Sequence, residues 1–354
     1  MRVFLGEAHY GEHRNTNAHE PIVTPDLFDA AGRARVARRA SVASAANGTQ
    51  RDVAPVIEGG YQCQLEFRLA GWDLVIAPVD DRGGEHDFTF VVEAAPASSP
   101  TGAAVDELTR RLHVLLSFIA GREVGVGPVC GLTEAGEVIW AKWGSPRVRS
   151  GRPGVRWCST PSLVASALPA IARGFSELSA DKTMEAVIDR AVNHLLAADG
   201  NEALGARIPV ACAGLEMLAW AILQHSGWLT NDVINQRDLN AAAKVRLLVG
   251  WAGVSTMLPA DGFDALKARS HGLAKDWGGP EILFNARNKL VHPPRKLAGA
   301  EWPSHGEMVE SRRLAGGYVE LAVLRVLDYK GEYWSRLRRL DRYGADVEAV
   351  PWTC

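Results

Sequence analysis

Six consecutive residues, Arg287-Asn288-Lys289-Leu290-Val291-His292, bring a permanent cation, a carboxamide and an imidazole onto one short segment. Those groups suit work on a phosphodiester. A guanidinium offers planar, permanently charged donors to phosphate oxygens. Histidine titrates near neutrality and can act as acid or base. Asn288 can hydrogen-bond the imidazole or a phosphate oxygen. A bland alternative stands beside this one, since Arg, Asn and His are also ordinary at the solvent-facing end of a core helix.

The segment that must hold these groups spans residues 282–294. Leu283, Ala286 and Leu290 fall at i, i+3 and i+7, which predicts one buried helical face. Asn288 and His292 are four apart, about 40° around the axis, and share another face. Arg287 lies beside Asn288 and can swing toward the pair. Pro293 pushes His292 away from helical angles, so the helix should stop there, with His292 at the negative end of its dipole. Lys289, Arg295 and Lys296 add the positive charge that a groove tracking a nucleic-acid backbone requires.

Around this segment, period-3.6 patterning runs almost unbroken from residue 162. One stripe is Met184, Val187, Ile188, Ala191 and Leu195; the next is Ala211, Leu215, Leu218 and Ile222; a third is Ala241, Val245, Leu248 and Ala252. The closing helix, over residues 317–333, carries few charges and should be mostly buried. A bundle of five to six helices follows, over residues 160–345. Glu216 sits in the most apolar of them, where a carboxylate needs a partner. It could hold Arg287, pair with another cation, or lie at a helix edge facing solvent. Tyr329 and Tyr333 could stack on bases, with core packing the alternative.

Residues 1–150 read differently. A short strand over 2–5 precedes a polar stretch with His9, His13 and His19, whose spacing matches no metal motif. Residues 30–46 look helical and carry a basic cluster of Arg33, Arg35, Arg38 and Arg39. Residues 62–69 alternate apolar and polar, a turn follows at Gly71, and strands are expected over 73–77, 87–92 and 138–141. A loop is expected over 94–103 and an amphipathic helix over 105–121. The glycines at 125 and 127 follow a helix rather than open one, so turns explain them better than a phosphate loop. Residues 144–162 have the Gly, Pro, Ser and Arg content of an inter-domain connection. The fold class is therefore α+β: an antiparallel, β-rich first domain and an all-α second one.

Composition bounds the function. With 354 residues and a net charge of −2, no global basic field advertises nucleic acid, so any such contact must come from a local patch. The five cysteines, Cys63, Cys130, Cys158, Cys212 and Cys354, share no CxxC spacing and read as reduced, mostly buried thiols of a cytoplasmic protein. The first residues have too short an apolar run for a signal peptide. The longest apolar stretch, over 208–224, is broken by Glu216 and reads as too short to cross a bilayer, so no membrane is expected.

An all-α domain whose penultimate helix ends in R-N-x-x-x-H resembles the HEPN superfamily of nucleotide- and RNA-binding domains. The order GLEMLAW, LNAAAKVRLLVGW, ILFNARNKLVHP and VLDYKGEYW, across residues 180–342, is similar to its ApeA-like branch. The β-rich first half also looks like the domain that precedes such modules. The resemblance implies a two-fold homodimer in which two motifs meet in one cleft. It further implies metal-independent endoribonuclease activity, no cofactor, and a role in phage defence or as a toxin. Carried over, Arg287 and His292 would be the catalytic pair and Asn288 the residue that orients them. RNA would be the partner, and a phage or host protein acting on the first domain the trigger. A catalytically silent module that binds RNA or a nucleotide, and a dimerising sensor, are the alternatives.

Overall fold

The structure is a computed structural model that describes residues 2–8, 65–78, 88–96, 100–127, 129–132, 138–142, 157–158, 161–200, 202–273, 277–292, 301–338 and 347–353. The chain divides into two compact units, residues 1–152 with 158–177, and residues 153–157 with 178–354.

The first unit is built on a six-stranded antiparallel sheet. Its strands are β1 (Arg2–Ala8), β2 (Leu65–Leu69), β3 (Trp72–Pro78), β4 (Phe88–Pro96), β5 (Val129–Leu132) and β6 (Val138–Lys142), in the order β2-β3-β4-β1-β5-β6. The alternation in β2 puts Leu65, Phe67 and Leu69 inside while Glu66 and Arg68 face out. Ala70 and Gly71 make the β2–β3 turn at positive φ, 50° and 83°. Helix α1 (Gly102–Ala120) buries Val105, Leu108, Leu112, Leu115 and Ile119, and Gly121 ends it in the left-handed conformation at φ 64°. Strand β4 runs into the segment expected as a loop, and β5 was not anticipated. The clusters at His9, His13 and His19 and at residues 30–46 lie outside the described residues.

One boundary differs from expectation. Helix α2 (Pro161–Leu178) groups with the sheet rather than with the helices that follow it. A physical tie is visible at its C-terminal end, where the Ser176 hydroxyl accepts from the Ala70 amide in the β2–β3 turn at 2.9 Å. Helical periodicity marks an element but not the unit against which it packs.

The second unit holds helices α3 (Lys182–Ala198), α4 (Leu204–His225), α5 (Asn231–Ile234), α6 (Ala241–Trp251), α7 (Asp264–Gly272), α8 (Gly279–Val291) and α9 (His305–Val326). Helix α4 is central and packs against α3, α6, α8 and α9. Gly214 lets α3 approach, since a Cβ there would sit 2.8 Å from that of His194. By length and apolar composition α4 could cross a bilayer, contrary to the expectation from 208–224, because the helix runs 22 residues. More than half of its most apolar window is buried inside the bundle, as a core helix requires. The expected all-α character is broken by a small antiparallel sheet, β7 (Glu332–Trp334) with β8 (Val347–Ala349). Tyr329 and Tyr333 are buried beside it, so core packing describes both.

A buried ionic clamp closes this unit. The Arg336 guanidinium, with 1% of its side chain exposed, donates through Nη1 and Nη2 to Asp199 at 2.9 and 2.5 Å. Its Nε and Nη2 also donate to Glu320, both at 2.8 Å. Arg312 adds a second cation on Asp199 at 2.9 Å. The clamp joins the cap of α3, the middle of α9 and the chain after β7. Removing one partner of a buried pair strands the others without water, so Arg336→Leu should cost about 3–5 kcal/mol. Urea unfolding of this variant checks it, and an unchanged midpoint would contradict the assignment.

Candidate functional site

Helix α8 begins at Gly278, whose extended backbone precedes Pro280 in the first turn, where the missing amide costs nothing. The Gly279 amide donates to the Thr256 carbonyl at 2.8 Å. Gly279 is required by packing, because a Cβ there would meet the Tyr318 hydroxyl at 2.1 Å. Glu281 takes a two-pronged bond from Arg246 of α6, at 2.6 and 2.5 Å. Ile282, Leu283 and Ala286 are fully buried. In mid-helix, Arg269 of α7 donates to Asn285 at 3.1 Å and to Glu307 of α9 at 2.7 Å. Three neighbouring helices thus fix the direction in which α8 presents its last turn.

That last turn carries the motif. The helix ends as anticipated. His292 adopts φ −103° and ψ 127°, extended ahead of Pro293, and its amide still donates to the Asn288 carbonyl at 2.9 Å. Asn288 and His292 are exposed, while Arg287 is half-buried. Arg287 Nη1 donates to Asn288 Oδ1 at 2.9 Å, which leaves the Asn288 amide nitrogen as an outward donor. The Arg287 Nε is buried without a hydrogen-bond partner. Among the described residues the guanidinium makes no other hydrogen bond or ion pair, so most of its donor capacity is uncommitted. Arg287 and Asn288 are therefore joined, and His292 shares their helix end without a side-chain bond to either.

The inner wall of the site is α4. Burial pushes the Cys212 thiol up to about 12, with the charge of Arg287 pulling it down and that of Glu216 pushing it up. Both charges therefore act on one spot of α4. Glu216 is half-buried, and among the described residues it makes no hydrogen bond or ion pair, so the helix-edge alternative describes it. It shares the neighbourhood of Arg287 without a hydrogen bond or ion pair to it. Lys289 reaches Glu301 at 3.4 Å, across the connection whose sequence holds Arg295 and Lys296. Those two residues lie outside the described ones. Among the described residues no group of three or more His, Cys, Asp or Glu is placed to hold a metal.

Sequence reasoning did not find the contacts that aim the helix: Arg246 with Glu281, Arg269 with Glu307, and the Ser304–Glu307 capping box at the start of α9. The capping box had a local signature, S-x-x-E, before an apolar run.

With this geometry in hand, comparison with known proteins gives a family likeness. Residues 181–348 match the family model described as the YopA C-terminal domain, and residues 57–153 match the YopA central domain. The chain resembles YopA. A curated relative, the SPbeta prophage-derived uncharacterized protein YopA of Bacillus subtilis (strain 168), is 26% identical over 254 residues, which cover 70% of this chain and 53% of the relative. The chain thus spans about half the length of that relative. No solved structure matches. The matched YopA C-terminal domain contains the whole of α3 to α9, and with them the site.

Glu307 gives the site support a pH signature. Burial alone would raise its carboxyl, but the hydrogen bonds from Arg269 and Ser304 and the charge of Arg269 outweigh that and hold it below the usual glutamate value. A carboxylate held low stabilises the fold above the unfolded value, and that contribution is lost as pH falls through the folded one. Glu307→Gln should therefore cost about 1–3 kcal/mol at neutral pH. The gap from the parent should close under acid conditions, below the ordinary glutamate range. Urea unfolding at both pH values measures it, and a gap independent of pH would contradict the account.

Proposed function

We propose that the C-terminal unit is a HEPN-type endoribonuclease that cleaves RNA without a metal, using Arg287, Asn288 and His292. The observation that carries this reading is the last turn of α8. There a half-buried guanidinium with uncommitted donors, an outward carboxamide nitrogen and an exposed imidazole share one rigidly held helix end. RNA supplies its own nucleophile, the 2′-OH. Its oxygen attacks the adjacent phosphorus, the bond from phosphorus to the 5′-oxygen breaks, and a 2′,3′-cyclic phosphate and a 5′-hydroxyl result. Arg287 stabilises the charge that builds on the non-bridging oxygens. His292 takes the proton from the 2′-OH or delivers it to the leaving 5′-oxygen. Asn288 holds the guanidinium and donates to the phosphate.

A second copy of this chain is the expected partner. Ala206, Ala213 and Trp220, seven residues apart on α4, form an exposed stripe of small side chains and one indole on the helix that also walls the site. Sedimentation should show a species of twice the 38.2 kDa chain mass, and a strict monomer at micromolar concentration would contradict it. We place the protein in the cytoplasm, where its RNA substrate is. The prophage origin of the relative suits a role in conflict between phage and host, with the β-rich unit as the sensor of a phage or host protein.

The direct assay uses labelled RNA in EDTA with the parent chain, Arg287→Ala and His292→Ala. The parent should cut, and each variant should lose at least about 100-fold in rate, the scale expected of an acid–base or charge-stabilising group. Binding without cutting, lost when Arg287 is neutralised, would favour the silent RNA-binding alternative. Cutting that survives in His292→Ala would overturn the roles assigned here.

A further inference from the structure

Three helix ends meet at the motif. Gly205, at the start of α4, faces Leu290 near the end of α8 and Met308 in the first turn of α9, since a Cβ on Gly205 would lie 3.6 and 3.8 Å from their side chains. The start of α9 therefore belongs to the same end of the bundle as His292. That start is stiff. Ser304 caps the Glu307 amide, Glu307 caps Ser304 in return, Arg269 holds Glu307, and Pro303 is buried. Just before this anchored turn stands Trp302, with 53% of its surface exposed. Among the described residues its indole enters no hydrogen bond, ring contact or cation contact. Its neighbour Glu301 meets Lys289, one position along α8 from Asn288.

A large indole in water on a rigid support, next in sequence to the Glu301–Lys289 pair, is what an unpaired base needs as a stacking partner. Among the described residues the other strongly exposed tryptophans are Trp220, near the far end of α4, and Trp228, just beyond it, both well away from Gly205 in the chain. Among the described residues Lys289 is held only by Glu301, which is 81% exposed, so a phosphate can displace that weak pair. We propose that Trp302 is a stacking platform for an unpaired base next to the scissile phosphate, and thus a specificity-determining residue of this site. The inference rests on the ribonuclease reading above. Inside a duplex each base is already stacked between its neighbours, so a duplex cannot use the platform.

The test uses the full chain carrying His292→Ala, so that bound RNA is not cut, with fluorescence anisotropy of labelled probes. Trp302→Ala should weaken binding of single-stranded RNA roughly tenfold to hundredfold, the loss expected for one base-stacking aromatic. Trp302→Phe should stay within a few-fold of the parent, and thermal melting should show that both variants fold. An oligomer of the same length built of abasic ribose phosphates should bind parent and Trp302→Ala alike, because it offers charge without bases. Equal binding of single-stranded RNA by parent and Trp302→Ala would overturn the platform, even if the native chain cuts RNA. Equal losses on the abasic oligomer would overturn it too, by showing that the indole matters for something other than stacking. A parent that binds no RNA and cuts none would remove the ribonuclease reading, and the platform with it.

Discussion

Asp199 and Glu320 are two carboxylates withdrawn from water; the guanidinium of Arg336 bridges both, and Arg312 is a second cation on Asp199. Burial pushes the Glu320 carboxyl upward, with the charge and hydrogen bonds of Arg336 pulling against that shift. Such a group is tolerable only while every member of the network is present. The requirement is geometric as well as energetic. Gly316 lies on α9 where a Cβ would come within 2.9 Å of the Arg336 guanidinium, so the helix must expose bare backbone to admit the clamp. Once closed, it fixes the cap of α3 against α9 and the segment after β7. Helices α3 and α9 in turn flank α4, and α4 and α9 both pack on α8.

The site inherits that order. Its side chains are on the surface, but the helix that carries them is pinned from three sides, by Arg246, Arg269 and the Tyr318–Gly279 contact. Catalytic groups need positions held by their surroundings rather than by their own bonds. Here Arg287 and Asn288 are tied to each other, and His292 is set by the extended backbone ahead of Pro293, on a helix that the surrounding contacts hold. The small region where α4, α8 and α9 converge thus gathers a guanidinium with uncommitted donors, an exposed imidazole and an exposed indole.

How much of this was legible beforehand follows from which forces are local. The period-2 alternation of β2, the apolar stripes of α3, α4 and α6, and the Pro293 stop after His292 all act within a few residues. Each of those elements is found where the sequence places it. The grouping of α2 with the sheet, strand β5 and the β7–β8 hairpin depend on contacts between distant segments, which no local pattern encodes. The same holds within the site. Arg287, Asn288 and His292 were identifiable as a spacing, whereas the lack of a Glu216–Arg287 bond and the exposure of Trp302 follow from how whole helices pack. The clamp was the least legible feature of all, since Asp199 and Arg336 are 137 positions apart.

The proposed cleavage turns on the 2′-OH as nucleophile, with Arg287 proposed to stabilise charge and His292 to move the proton. The most direct measurement places one 2′-deoxynucleotide at a mapped cleavage position in an otherwise unmodified RNA. The account predicts that cleavage at that bond disappears while other bonds are still cut, leaving 2′,3′-cyclic phosphate ends. Cleavage that persists at the deoxy position would contradict it, because the attacking oxygen would then have come from elsewhere.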